Sequence, residues 1–271
     1  MQLKIAHQTI YRYSESVDYT VQQLRLFPDS FEGQQVRAWT IEAPQDSLPE
    51  FRDGFGNRTA LLTLDRPHRQ VVLRVIGEVE TEEMHGVVRG VPEPLPPAFY
   101  MRSTSRTRAS EGLERLARPA RAESSPLNRL HRLMSLVHLR ILYEPGETHV
   151  ATTADEALAH GRGVCQDHAH VFITCARLLG FPARYVSGYL WTAEAMDHDA
   201  SHAWAEAWVK GLGWVGFDAA NGVSPSESYV RMACGLDYGD AAPVRGVRRG
   251  GGSEVLNVQL QVQQARLQVA A

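Results

Sequence analysis

The second half of the chain contains three side chains of the types that thiol acyl transfer requires: Cys165, His202 and Asp218. Apolar residues recur at helical spacing after Cys165, and Gly180 ends the run, so we predict a buried helix over residues 164–179. The first N–H groups of a helix lack intrahelical partners and carry partial positive charge, which stabilises a thiolate in the first turn. Because the thiolate is the nucleophilic form, we predict that Cys165 is a nucleophile.

The other two cysteines, Cys175 and Cys234, are predicted to be small buried apolar residues. The chain has three cysteines, and this odd, low number argues against a disulfide framework. Cys165 and Cys175 lie about 15 Å apart along one helix, which is too far for a disulfide bond.

Possible partners for the thiol lie on two predicted strands. Residues 201–209 alternate between two faces, residues 210–213 form a hairpin turn, and the return strand ends at Asp218. Adjacent antiparallel strands would place His202 beside Asp218, with about 5 Å between Cβ atoms. A carboxylate there would hold the Nδ1 proton and leave the other ring nitrogen to face the thiol. The alternatives are a structural histidine and an aspartate that caps the turn before Asn221.

A metal site is the third possibility, because several residues near the cysteine are metal-capable. Their spacing matches no standard zinc pattern, and no calcium-loop pattern is present. We therefore predict that the chain uses no metal and no cofactor. The metal-capable residues are Cys165, His168, His170, His198 and Asp199.

The first ninety or so residues indicate a sheet or sandwich of antiparallel strands, with no helix of standard length. Apolar and aromatic residues fall on odd positions from Leu3 to Tyr13, which is the period of a half-buried strand. Further strands are predicted at residues 35–42, 60–64 and 71–82, and the segment 52–57 is rich in turn residues.

Residues 91–97 contain four prolines and are the best candidate for a domain boundary. Helical signals follow it: a short piece over 110–117, and a longer helix that begins at Ser125-Pro126. A capping-box pattern at Thr153 starts another helix, and residues 183–191 form a strand. We predict an N-terminal β domain (1–97), a catalytic core (98–244) and a C-terminal part (245–271). The last comprises a flexible Gly-rich loop, Val247 to Ser253, and a strand that rejoins a sheet.

Composition and charge restrict the classes of partner. Among the 271 residues, 44% are apolar and 22% are charged, and the net charge is −3, as in a soluble globular protein without a general attraction to nucleic acid or anionic membranes. Nine arginines lie between positions 102 and 140 against three acidic residues, without interleaved aromatics, so we predict a solvated helix face. The N-terminus lacks a signal-peptide pattern and no apolar run is long enough to span a bilayer, which favours the cytoplasm.

Several motifs together resemble a known family. The segments GVCQDHAHVF, PARYVSGYL and SHAWAEAWVKGLGWVGFDAANG resemble the core of the bacterial transglutaminase-like superfamily, which has a papain-like fold. TIYRYSESV, QQLRLFP and RDGFGN resemble the β domain that precedes this core in one bacterial subgroup. The resemblance implies an α+β fold in which the cysteine helix packs on an antiparallel sheet, preceded by an all-β, sandwich-like N-terminal domain. One departure is DAANG, where the family usually has DPTNG.

The resemblance also implies roles: Cys165 as nucleophile, His202 as general base and acid, and Asp218 as the residue that orients the histidine. We expect a thioester intermediate formed from an amide of a protein, peptide or small molecule, as in a cysteine peptidase, amidase or transglutaminase. The backbone N–H of Cys165 would be one oxyanion donor, and the second remains unassigned. Trp204 and Tyr189 are the predicted substrate-binding residues.

Two other functions use the same features. Arylamine-type acyl transfer has the same order of catalytic residues, although the motifs around the cysteine and histidine fit the transglutaminase-like pattern better. A non-catalytic module would bind proteins through the N-terminal β domain. A reactive Cys165 would favour an enzyme, and an inert thiol would favour the module.

Overall fold

The N-terminal sheet is built around one 23-residue strand, Gln2–Leu24, in the computed structural model, which describes residues 1–193 and 201–265. Leu3, Ile5 and Tyr13 on this strand are buried, while the side chains at positions 2, 4 and 6 are exposed. Alternate side chains of a strand point to opposite faces, so this alternating burial confirms the predicted half-buried strand.

The described residues form strands and helices that we label in chain order. The strands are β1 (Gln2–Leu24), β2 (Gln34–Glu42), β3 (Glu50–Arg52), β4 (Arg58–Leu64), β5 (His68–Thr81), β6 (Val87–Val88), β7 (Leu142–Tyr143), β8 (Arg162–Gly163), β9 (Ala183–Leu190), β10 (His202–Val209), β11 (Gly213–Phe217), β12 (Tyr229–Gly235), β13 (Val244–Gly250) and β14 (Glu254–Gln264). The α-helices are α1 (Glu111–Ala117), α2 (Pro126–Arg140), α3 (Ala154–His160), α4 (Cys165–Leu178) and α5 (Tyr238–Ala241), and short 3-10 helices span Pro97–Met101 and Arg118–Ala122.

Strand β1 lies between two antiparallel stretches of chain. β4 and β5 follow one another along one edge of β1, and β13 and β14 follow one another along the other edge. β2 adds to β5 and β3 adds to β4, which completes a seven-stranded sheet. Pairing with β5 is interrupted between Arg12 and Val17, where the sheet curls. Such an irregularity bends a strand and increases its local twist.

The second sheet has the antiparallel order β12-β9-β10-β11-β6. Small side chains on one face of β10, from Ala203, Ala205 and Ala207, pack with α4 in a single buried cluster, together with residues of α1, α2 and α3. The chain is thus an α+β protein in which the cysteine helix packs on an antiparallel sheet. A sandwich-like N-terminal β region precedes this core along the chain, as predicted. This arrangement brings the first turn of α4 to the end of the sheet where the central strand β10 begins.

Local signals account for the helix ends. Ser125 caps α2 by accepting a hydrogen bond from the N–H of Asn128, and Thr153 and Glu156 form the predicted capping box of α3. Gly161 ends α3 with a φ of 68°, a left-handed conformation that glycine adopts without strain. The helices predicted over 110–117 and 164–179 are confirmed with boundaries that differ by one residue, and so is the longer helix predicted to begin at Ser125-Pro126.

Some sequence-based expectations were wrong or incomplete. The segment from Val247 to Ser253 was predicted as a flexible loop, but its first four residues belong to β13 and pair with β1. Strand β12 was not predicted at all. β6 precedes the proline-rich stretch yet pairs with β11 of the second sheet, so one short strand of the core sheet comes from the region predicted as the N-terminal domain. The domain boundaries themselves remain a prediction.

The N-terminal region contacts the outer strand of the second sheet through side-chain amides. The carboxamide of Gln34 accepts a hydrogen bond from the N–H of Arg231 (2.7 Å) and donates one to its carbonyl oxygen (3.0 Å). Asn57 bonds to the N–H and carbonyl oxygen of Cys234 in the same way, at 2.8 Å each. These side chains satisfy backbone groups that β12 would otherwise leave unpaired at the edge. No helix in the described ranges 1–193 and 201–265 is long and apolar enough to cross a membrane.

Candidate active site

Cys165 is the first residue of α4 and is 8% exposed. The helix begins here because the carboxylate of Asp167 turns back and accepts a hydrogen bond from the N–H of Val164 (2.8 Å). Gly163 permits this approach, since a Cβ atom there would lie 2.6 Å from Oδ2 of Asp167. In the first turn, the N–H groups of Cys165 and Gln166 have no intrahelical acceptor, so they provide partial positive charge beside the thiol.

His202 and Asp218 meet at one end of the sheet, where β10 begins and β11 has just ended. The Nε2 atom of His202 lies 2.7 Å from Oδ2 of Asp218. Because Ala205 of β10 pairs with Phe217 of β11, Asp218 comes level with Trp204, and His202 lies two residues further along. The two side chains therefore form a diagonal pair, not the directly opposed pair that we predicted. Long side chains bridge such a diagonal, which is why the contact still forms.

The orientation of the imidazole also differs from the prediction. Asp218 binds Nε2 of His202, whereas we expected it to hold the Nδ1 proton. The Cys165 side chain lies close enough to His202 to raise the pKa of the imidazole through hydrogen bonding and through its charge. Since Nε2 is occupied by the carboxylate, Nδ1 is the ring nitrogen left for the thiol. One histidine thus connects the helix N-terminus to a buried carboxylate.

The two oxygens of Asp218 have separate partners. Oδ1 accepts hydrogen bonds from the N–H groups of Ala220 (3.0 Å) and Asn221 (3.2 Å), as in a residue that caps a turn. Oδ2 accepts bonds from His202, from Nδ2 of Asn221 (2.7 Å) and from the hydroxyl of Tyr229 (2.8 Å). The two interpretations of Asp218 that the sequence left open are therefore compatible, because each concerns a different oxygen.

These contacts shift the titration of the pair. Burial disfavours a charged imidazole, but the hydrogen bonds to Asp218 and Cys165 outweigh it and raise the pKa of His202 to about 10. Burial also disfavours the carboxylate, but hydrogen bonds from His202, Asn221 and Tyr229 hold the pKa of Asp218 below its ordinary value. At neutral pH the pair is accordingly an imidazolium beside a carboxylate, and a positive charge faces the thiol.

The remaining cysteines lie away from this cluster. The thiol of Cys175 is buried inside α4 and donates to the carbonyl oxygen of Leu113 (3.4 Å), and burial raises its pKa to about 12. Cys234 is buried on β12. Both environments agree with the predicted structural role.

Neither predicted substrate-binding residue is accessible to a substrate. Trp204 is 3% exposed and stacks behind the ring of His202, with 6.3 Å between centroids and 25° between planes. Tyr189 is 1% exposed, belongs to the core of the N-terminal sheet, and its hydroxyl bonds to Nδ1 of His7 at 2.9 Å. Trp204 therefore supports the histidine from behind, whereas Tyr189 joins the two sheets.

The metal-capable residues that the structure describes do not converge. Both ring nitrogens of His168 face backbone carbonyl oxygens, those of Val164 (2.8 Å) and Ile141 (3.0 Å). Nε2 of His170 accepts the N–H of Tyr238, and His170 is fully buried. His198 and Asp199 lie outside the described residues. Within the described ranges, no group of three or more His, Cys, Asp or Glu side chains could hold a metal ion.

The sequence analysis missed three residues around the site. Tyr229 and Asn221 bind Asp218 directly, and Tyr143 is half exposed on β7. Burial of its hydroxyl, together with the nearby Cys165 and Asp218, raises the pKa of Tyr143 to about 12. Tyr143 and Tyr229 lie on β7 and β12, which pair with β8 and β9, and neither pairing is visible as a sequence pattern. Asn221 lies in the turn after Asp218, where the sequence gives no sign that its side chain binds the carboxylate.

Comparisons with known proteins found similarity in both parts of the chain. Residues 114–219 match the transglutaminase-like superfamily, and residues 3–80 match the bacterial transglutaminase-like N-terminal region. An uncharacterized protein from Mycobacterium leprae is 29% identical over 280 residues, covering 96% of this chain and 98% of the relative. One from Mycobacterium tuberculosis is 28% identical over 272 residues, covering 90% of this chain and 86% of the relative.

The fold is also present in a solved structure. The crystal structure of "a Putative Cysteine Protease from Cytophaga hutchinsonii" covers 100% of this chain, which in turn covers 92% of that protein, with a TM-score of 0.80 and 20% identity. This likeness concerns the fold alone. The two family matches together show that residues 114–219 form a core of the transglutaminase-like superfamily, and that residues 3–80 form a bacterial transglutaminase-like N-terminal region.

Proposed function

We propose that the chain is a cysteine enzyme that cleaves or exchanges amide bonds through a thioester on Cys165. The observation that carries this proposal is the position of His202, which hydrogen-bonds the buried carboxylate of Asp218 (2.7 Å) and lies within interaction range of the Cys165 side chain. A histidine held in this way can accept the thiol proton, remain protonated, and later release that proton. The helix N-terminus favours the thiolate that results.

The reaction begins when the thiolate attacks the carbonyl carbon of the amide. A C–S bond forms, and the carbonyl oxygen takes up negative charge close to the first turn of α4. The backbone N–H of Cys165 points out of that turn and serves as one oxyanion donor. When the tetrahedral intermediate collapses, the C–N bond breaks and the His202 imidazolium gives its Nδ1 proton to the leaving amine.

The thioester is then resolved by a second nucleophile. Water yields a carboxylic acid, so the enzyme would be a peptidase or amidase. A primary amine yields a new amide, so it would be a transglutaminase. In both cases the neutral His202 takes a proton from the attacking group as the new C–O or C–N bond forms. The C–S bond then breaks, and the Cys165 thiolate is restored beside the His202 imidazolium. The substrate class is an amide of a protein, peptide or small molecule, including the glutamine side chain.

The test follows the covalent intermediate directly. Purified protein is incubated with glutamine-containing peptides and small amides, with and without a primary amine, and ammonia release, amine incorporation and intact protein mass are measured. We expect turnover and an acyl adduct on Cys165 in the wild type and in Cys175→Ala, but neither in Cys165→Ala. Cys175→Ala is the matched control because it also removes a buried thiol from α4.

Two results would contradict the proposal. If Cys165 reacts with iodoacetamide no faster than Cys175 in the native protein, the thiol is not activated, and a non-catalytic binding module is the better description. If acyl transfer occurs only from thioester donors to arylamines, the reaction is of the arylamine acyltransferase type.

A further inference from the structure

A tyrosine outside the predicted triad contacts the same carboxylate oxygen as the histidine. The hydroxyl of Tyr229 donates to Oδ2 of Asp218 (2.8 Å), the oxygen that also binds His202 (2.7 Å). The tyrosine ring is buried, packs against the His202 ring with 5.9 Å between centroids, and meets the Trp204 ring edge-on at 5.4 Å. Tyr229 therefore contacts both partners of the histidine–carboxylate pair.

Tyr229 is the first residue of β12, which is the outer strand of the core sheet and pairs there only with β9 among the described strands. Its free edge is bound by the N-terminal region. Gln34, which is 2% exposed, pairs with both backbone groups of Arg231, two residues after the tyrosine, and donates a further bond to the carbonyl oxygen of Asp29 (2.8 Å). Because Gln34 uses all three bonds in a buried setting, it holds the start of β12 in one place.

We propose that Tyr229 is a positioning residue that acts on His202 through Asp218, and that Gln34 of the N-terminal region holds Tyr229 in place. This inference rests on the proposed function of His202 as the base and acid of the reaction. It gives the N-terminal β region a role in the chemistry of the core, in contrast to a separate binding module.

The physical effect concerns the charge on one oxygen. A hydroxyl that donates to a carboxylate draws electron density from the oxygen that it binds, so the same oxygen is a weaker acceptor for a second donor. Tyr229 therefore moderates how strongly Asp218 holds the Nε2 proton of His202. Without the hydroxyl, the carboxylate would still be held by two backbone N–H groups and by Asn221, but it would bind the imidazolium more tightly.

The titratable groups that face His202 come from different elements. They are Cys165 from α4, Asp218 after β11 and Tyr229 from β12, while Tyr143 of β7 lies within electrostatic range of the thiol and the carboxylate. The test therefore uses a Cys165→Ala background, in which the thiolate no longer contributes to the histidine titration. NMR then follows the His202 ring and its downfield Nε2–H proton as the pH is raised.

We expect Tyr229→Phe to raise the midpoint of the His202 titration by about 0.5–1 pH unit and to move the Nε2–H resonance further downfield. The matched control is Tyr189→Phe, which also removes a buried hydroxyl bonded to a buried partner, but at His7. The control should leave both signals unchanged. A midpoint in Tyr229→Phe that equals the control, or falls, would overturn the proposal.

The role of Gln34 is tested by a double-mutant cycle. Gln34→Met keeps the length of the side chain and removes its hydrogen bonds. The control is Gln35→Met at the neighbouring residue, whose exposed side chain donates to the carbonyl oxygen of Phe31 (3.1 Å). We expect Gln34→Met to raise the midpoint by less than Tyr229→Phe and to add nothing in the Tyr229→Phe background. An additional shift in that background would contradict coupling through the tyrosine.

The titration distinguishes this inference from the proposed function, because it requires no turnover. If the wild type processes no amide while Tyr229→Phe still shifts His202, the proposed function fails and the contact between Tyr229 and the pair stands. If the wild type is active while Tyr229→Phe titrates like the control, the triad stands and the positioning role fails.

Discussion

Replacement of Asp218 by asparagine is the sharpest test of the catalytic arrangement. Asp218 is fully buried and accepts five hydrogen bonds, two at Oδ1 and three at Oδ2. An asparagine can keep the two turn bonds by placing its carbonyl oxygen at Oδ1. Its NH2 group then faces His202, Tyr229 and the Asn221 side chain, each of which must become an acceptor. His202 can do so only by moving its proton to Nδ1, the nitrogen that faces the thiol.

These changes should affect both the stability of the variant and its turnover. Three charge-assisted hydrogen bonds become neutral, which costs about 1 kcal/mol each and about 3 kcal/mol in total. For a protein of this size, this lowers the melting temperature by about 6–12 °C. The wrong tautomer should lower turnover by about 10²–10⁴-fold, as for other orienting carboxylates. Asparagine is therefore isosteric here but not neutral for stability.

The assay measures turnover of one labile amide or ester, with iodoacetamide labelling of Cys165, at a temperature well below the melting point of the variant. Circular dichroism verifies that Asp218→Asn is folded under these conditions. Asp237→Asn is the matched control, since Asp237 is buried and caps the turn at Gly239 (2.7 Å). If folded Asp218→Asn retains wild-type turnover, Asp218 only caps its turn and the catalytic triad fails at its third member.

Three further predictions follow from the burial and charges of single residues. Iodoacetamide should modify Cys165 well before Cys175, and the reaction of Cys165 should persist below pH 7. Of the two thiols, only that of Cys165 lies at a helix N-terminus beside an imidazolium. Peptide mapping by mass spectrometry measures the modification of both residues. The pKa of His202 is raised from 6.5 to about 10, so its contribution to stability should be complete below about pH 6.5 and lost as the pH rises towards 10. Chemical denaturation across this range should show a decline in the free energy of unfolding, and His202→Ala should remove that decline. Glu206 is fully buried between Arg184 and Arg231, so Glu206→Gln should lower the free energy of unfolding by about 3–5 kcal/mol. The same change at the exposed Glu111 should have little effect on the free energy of unfolding, and urea denaturation measures both variants.

Sequence alone was sufficient for features that depend on local periodicity and on short-range hydrogen bonds. The apolar spacing after Cys165 and the glycine at position 180 determine α4, and the alternation after Ser201 determines which face of β10 meets the helix. The Thr153 capping box involves residues only three positions apart. Such signals are readable because each requires only neighbouring residues to cooperate.

The environment of the site depended on contacts between distant parts of the chain. The register of β10 and β11 makes His202 and Asp218 a diagonal pair and turns Nε2 towards the carboxylate. Packing between distant parts of the chain likewise buries Tyr189 against His7, which is 182 positions away. Side-chain direction in a sheet depends on register, and a sequence pattern defines the faces of one strand but not its alignment with the next.

The contribution of the N-terminal region could be found only in the tertiary structure. Gln34 and Arg231 are 197 positions apart, and a glutamine near the start of a strand has no special pattern. The glutamine binds backbone groups, which every residue possesses, so the identity of its partner leaves no trace in the sequence. The sequence alone therefore determined the chemical groups and the elements that bear them, while tertiary packing decided which nitrogen, which oxygen and which supporting side chains face one another.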